Sequence, residues 1–114
     1  MANETTIQQN IRLALGSLSN VRMFRNNVGT ATTEDGRFIQ FGLCKGSSDL
    51  IGYVSKEITP DMVGKRVAIF SALEVKTAKN KATTQQQAFI NRVCLDGGIA
   101  GIVRNEQEAL SLCQ

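Results

Sequence analysis

The run Arg66-Val67-Ala68-Ile69-Phe70-Ser71-Ala72-Leu73 constrains this chain more than any other segment, because it is apolar on both faces for most of its length. A strand without a polar face must be covered on both sides, so the run predicts a central strand over residues 66–76. It ends in Glu74-Val75-Lys76, two opposite charges where a buried strand would otherwise stay apolar. Alternate side chains of a strand share a face, so Glu74 and Lys76 point one way and Val75 the other.

The rest of the chain supplies the layers around that strand. Residues 3–16 read as an amphipathic helix, with Ile7, Ile11, Ala14 and Leu15 at helical spacing and Gly16 at its end. Glu4 lies one turn before Ile7, near the inward stripe. Val21-Arg22-Met23-Phe24-Arg25 reads as a first strand, residues 30–36 as a Thr/Glu/Asp/Gly-rich turn, and Phe38-Ile39-Gln40-Phe41 as a second strand. After the turn Lys45-Gly46-Ser47-Ser48, a third strand runs from Asp49 to Val54. Thr59-Pro60-Asp61 starts one short helical turn, with proline at its first position. Thr83 or Thr84 caps a helix to about residue 95 whose face carries Gln86, Phe89, Ile90 and Val93. Asp96-Gly97-Gly98 ends it, residues 99–103 form a last strand, and residues 105–112 close the chain as a helix. The order predicts an α/β fold, a small mixed sheet flanked by helices, with a right-handed crossover at the late strand–helix–strand step.

At 114 residues and 42% hydrophobic, the chain suits one domain, 1–114, with its own core. The net charge of +3 and pI near 9.0 fit a polyanionic partner without requiring one. The absence of histidine excludes Ser-His-Asp and Cys-His nucleophilic machinery and histidine-containing zinc or nuclease sites. Cys44, Cys94 and Cys113 are odd in number and never spaced as Cys-x-x-Cys, which argues against a disulfide framework or a zinc site. Without histidine, any catalysis must run on carboxylates, lysine, hydroxyls and a metal, and no Walker-type loop or dinucleotide glycine fingerprint appears either. The polar start and strand-sized apolar runs predict an intracellular, cytoplasmic protein without membrane contact.

A carboxylate beside an ammonium at a sheet's rim supplies the elements of a metal-dependent phosphodiesterase. The tripeptide alone is weak, since chance gives roughly 0.5 acid-x-Lys matches in a chain of this composition. Its surroundings are more specific. Asp49 opens a strand after a Gly-Ser-Ser turn, and together with Glu74 and Lys76 it resembles the PD-(D/E)xK nuclease fold. The closer similarity is to the VRR-NUC branch, from Glu4 to the last helix. It rests on Arg25-Asn26-Asn27-x-Gly29, Lys45-Gly46-Ser47-Ser48-Asp49-Leu50-Ile51-Gly52, Glu74-Val75-Lys76 and Gln86-x-x-Phe89. The tail signature reads Val103-Arg104-Asn105 here, so its second arginine is replaced.

The resemblance implies that Asp49 and Glu74 coordinate Mg²⁺ or Mn²⁺, that Val75 adds its backbone carbonyl, and that a helix-borne glutamate, here Glu4, joins the metal site. Hard cations of this kind take such oxygens and keep water. Lys76 would orient or help deprotonate that water and offset charge on the phosphate, with Gln86 beside the active site. Simpler readings stand beside each: a same-face Glu74–Lys76 ion pair, Glu4 compensating a helix dipole, and Gln86 bonded to backbone. Arg25 and Lys79 or Lys81 flank the site in chain order and are the favoured phosphate contacts. Small members resemble Holliday-junction resolvases, which implies a homodimeric endonuclease cutting branched DNA, in keeping with bacterial or phage origin. The alternatives are a nuclease of linear duplex, flap or RNA with the same site, and a non-catalytic basic nucleic-acid-binding module.

Overall fold

The computed structural model describes residues 3–114. The chain divides into two units, one ending at Val54 and the other spanning Ser55–Gln114. In both, small sheets are flanked by helices, the α/β class expected from the sequence. The strands form three two-stranded ladders, two antiparallel and one parallel.

The first unit begins with α1 (Glu4–Gly16). Asn3 caps it, its side-chain oxygen accepting the Thr6 N–H at 2.9 Å, which satisfies one of the amides a helix start leaves open. The helix packs on β1 (Val21–Arg25), whose first residue, Val21, is buried. β1 pairs antiparallel with β4 (Leu50–Val54), from Val21↔Val54 to Arg25↔Leu50. Gly52 is required in that ladder: a Cβ there would stand 1.8 Å from the Arg22 carbonyl oxygen.

Between these strands lies a hairpin that corrects the expected turn over residues 30–36. Gly29–Thr32 is a strand, β2, paired with β3 (Phe38–Phe41), and the turn is confined to residues 33–37, closed by Thr33 N–H to Arg37 O at 2.8 Å. Thr30 and Thr32 are polar enough to resemble loop residues, yet β-branched threonine suits a pleated strand.

The second unit opens with a single 3-10 turn, Pro60–Met62, with proline first as expected. The long central strand is a second correction. Only Ser71–Val75 forms β5, and Val67 and Ile69 in the preceding segment are 57% and 52% exposed. The partner sets the length: β6 (Ile99–Val103) offers five residues, paired in parallel from Ser71↔Ile99 to Val75↔Val103. The ladder is closed by Ile99 N–H to Phe70 O at one end and Lys76 N–H to Val103 O at the other. Beyond that, the apolar run joins no ladder among the described residues.

The crossover is α2 (Thr84–Leu95), capped by Thr83. Thr83 Oγ1 accepts the Gln86 N–H while Gln86 Oε1 accepts the Thr83 N–H, a reciprocal pair that fixes the helix start. Ile90 and Val93 of α2 are buried with Ala100 and Val103 of β6, forming the core of this unit. α3 (Glu106–Cys113) also packs on β6 and is capped by Asn105, whose side chain accepts the Glu108 N–H. Among the described residues no helix is long and apolar enough to cross a membrane.

Candidate active site

Along β5 exposure alternates, with Ala72 and Glu74 half-buried and Ser71, Leu73 and Val75 exposed. Lys76 continues the half-buried face, and its ammonium lies 3.7 Å from the Glu74 carboxylate. The two side chains keep 17% and 31% of their exposure, so both charges still reach solvent. Glu74 opens onto a cleft of about 300 Å³ that Gln86, Phe89 and Ile90 of α2 also line. Gln86 therefore stands beside the acid and is bonded to backbone as well: Thr83 N–H holds its carbonyl oxygen, which leaves the amide NH₂ as the end able to donate.

The ladder also determines where the Val75 carbonyl goes. In a parallel pair, alternate residues bond to one neighbour. The bonds at Phe70 and Lys76 place the even-numbered residues of this segment against β6. Val75 thus turns its peptide groups to the opposite edge of β5, where no strand pairs among the described residues. An acid, a lysine and an edge carbonyl follow one another at the end of one strand.

Asp49, exposed, immediately precedes β4 in the first unit. Its loop is organised by Asn26, whose role the sequence reading missed. Asn26 Nδ2 donates to Ser47 Oγ at 2.7 Å and to Ser48 O at 2.9 Å, its Oδ1 accepts the Leu43 N–H at 2.8 Å, and its own N–H donates to Asp49 O at 2.8 Å. Ser47 Oγ in turn donates to Cys44 O at 2.6 Å. The turn closes through Gly46 at φ +86, a conformation that L side chains rarely adopt. The only sequence signal for Asn26 was its place in Arg25-Asn26-Asn27-x-Gly29.

Glu4 is exposed in the first turn of α1. Arg25 ends β1 opposite Leu50, next to Asp49 in the same unit. Lys79 and Lys81 are exposed in the segment after β5. That segment is held by Arg104, whose Nη1 donates to Thr77 O and Asn80 O, each at 2.9 Å. Arg104 also lines a wide cleft of about 580 Å³ with Lys81, Thr84, Gln87 and Asn91. Asn105, where the signature has a second arginine, serves as the α3 cap. Glu4, Asp49 and Arg25 belong to the first unit and Glu74, Val75, Lys76, Gln86, Lys79 and Lys81 to the second. Among the described residues no three Asp, Glu, Cys or His side chains are gathered into one cluster.

No curated protein and no solved structure matches the chain. The family model of the VRR-NUC domain does, over residues 3–107. That span runs through both units and takes in Glu4, the Asn26–Asp49 loop, Glu74-Val75-Lys76, Gln86 and Arg104, and the chain therefore belongs to the VRR-NUC family, nucleases of the PD-(D/E)xK-like fold.

Proposed function

We infer that this nuclease is a metal-dependent, structure-specific DNA endonuclease, with residues 1–114 acting as one catalytic domain. The observation that carries the reading is the end of β5, where Glu74 and Lys76 share a half-buried face 3.7 Å apart and the Val75 carbonyl is turned to an unpaired edge. An ordinary same-face ion pair accounts for the first contact and the ladder for the direction of the carbonyl; what supports the catalytic reading is that the two fall beside a cleft at the end of one strand.

The donor set fits a hard divalent cation. Asp49, Glu74, Glu4 and the Val75 carbonyl offer oxygen, the chemistry that Mg²⁺ and Mn²⁺ prefer over nitrogen or sulfur. When bound, such an ion supplies Lewis-acid charge to the phosphate and makes a water easier to deprotonate. Lys76 would orient the attacking water and offset charge that builds on the phosphate. The Gln86 amide NH₂, its carbonyl held by the helix cap, would donate to a substrate oxygen in the cleft.

Arg25, Lys79 and Lys81 would contact phosphates, binding that is sensitive to salt and blind to sequence. A homodimer placing two sites across a four-way junction would match the two-fold symmetry of that substrate and make paired cuts.

The test is cleavage of labelled four-way junction, flap and linear duplex, each with Mg²⁺, Mn²⁺ or EDTA, together with light scattering for the mass in solution. Preferential junction cutting by a dimer, abolished by EDTA, is the expected result. Equal rates on linear duplex would reduce the protein to a general nuclease, and binding without cutting would make it a non-catalytic module.

A further inference from the structure

We propose that Asn26 is a positioning residue for Asp49, an inference that rests on the reading of Asp49 as a cation ligand. A carboxamide has two donor hydrogens and one acceptor oxygen, and here all are engaged within one loop: Ser47 Oγ, Ser48 O and the Leu43 N–H. The backbone N–H of the same residue donates to the Asp49 carbonyl oxygen. Aspartate would lose both side-chain donors and a hydrophobic residue all three side-chain bonds, so this part of the arrangement is specific to the amide.

The consequence falls on Asp49. On its C-terminal side the residue is fixed by the Arg25↔Leu50 pair of the β1–β4 ladder. On its N-terminal side the whole turn is tied to the end of β1 through Asn26, and Ser47 Oγ passes the connection on to Cys44 O. The Asp49 backbone is therefore set from both directions before any ligand arrives. A ligand residue whose backbone is already placed has only its side-chain rotation left to lose when it meets a cation, which raises affinity without adding a contact.

The test uses the full chain and reads metal binding directly. Mn²⁺ affinity is measured by titration calorimetry without DNA for the wild type, Asn26→Ala, Ser47→Ala and Asp49→Asn. Thermal melting and the rate of tryptic cleavage after Lys45, inside the turn, are followed in parallel. Asn26→Ala is expected to weaken Mn²⁺ binding by about 10- to 100-fold. Cleavage after Lys45 should quicken about tenfold as the turn opens locally. Ser47→Ala, which removes one partner of the amide, should shift both in the same direction by about threefold. That milder variant carries the test if Asn26→Ala fails to fold.

If Asp49→Asn weakens Mn²⁺ binding while neither Asn26→Ala nor Ser47→Ala does at an unchanged melting temperature, Asn26 only builds a turn and the inference is wrong, with the proposed function intact. If Asp49→Asn leaves Mn²⁺ affinity unchanged, Asp49 is no ligand and both readings fall together.

Discussion

The two units hold their acidic residues by different physical means. In the second, Glu74 sits on a parallel ladder backed by an apolar core of Ile90, Val93, Ala100 and Val103. In the first, Val21 is the one buried apolar residue among those described, and Asp49 is held by a loop whose hydrogen bonds converge on Asn26. A regular ladder places alternate side chains by its pleat, so Glu74 and Lys76 are aligned by periodicity alone. A polar loop has no period and needs a matched donor or acceptor for each group. Position is therefore secured by packing in one region and by hydrogen-bond stoichiometry in the other.

Substitutions in each unit sharpen or break that contrast. The largest effect expected is on chemistry: Lys76→Ala should lower cleavage by about 10²–10³-fold, because under the proposed function it removes a charge that would offset the one developing in the transition state. DNA binding and melting should stay close to wild type, because Lys76 still reaches solvent and its ion pair adds little stability. Unfolding of this variant would assign Lys76 a structural role instead.

Next comes backbone packing in the first unit. Gly52→Ala should cost about 3 kcal/mol in denaturant melts, since its methyl group would force β1 and β4 apart at Arg22. A melt unchanged from wild type would show that the ladder yields more easily than its spacing indicates. In the second unit, Val93→Ala should cost about 2 kcal/mol for the cavity left at a side chain only 1% exposed. The contrast between the units breaks if Val93→Ala proves neutral.

The smallest stability effect is at the α2 cap, where Thr83→Ala should cost about 1 kcal/mol. The same change removes the hydroxyl that accepts the Gln86 N–H and keeps the Thr83 N–H that holds the Gln86 side chain, so a turnover defect larger than the stability loss would tie the geometry of the helix start to the cleft beside Glu74. Replacing Lys79 or Lys81 with alanine should lower the salt dependence of DNA binding by about one phosphate contact each, measured as the slope of log affinity against log salt.

The same division explains what the sequence revealed. α1, α2 and α3 were legible from apolar spacing, and α2 also from the cap expected at Thr83 or Thr84; Asn3 and Asn105, read as the first residues of α1 and α3, are their caps instead. β2 was hidden by threonines whose polarity resembles a turn, and the segment before Ser71 was read as strand because an apolar run carries no information about the length of its partner. Glu74-Val75-Lys76 stood out because charges interrupt a hydrophobic pattern. Asn26 and Arg104 did not, since their bonds span 21 and 22 residues in one case and 27 and 24 in the other. Such pairings follow from the folded chain and leave no local periodicity to read.

The most direct test compares the wild type with Glu74→Gln on a labelled four-way junction in Mg²⁺, with EDTA as control and a gel-shift assay in parallel. Glutamine keeps the size of the side chain and one acceptor oxygen, replaces the other with an NH₂ donor, and removes the charge a cation needs. The wild type should cut in Mg²⁺ and stop in EDTA, while Glu74→Gln binds the junction and leaves it whole. Cleavage that persists in EDTA, or in Glu74→Gln at saturating Mg²⁺, would contradict a metal site built on Glu74.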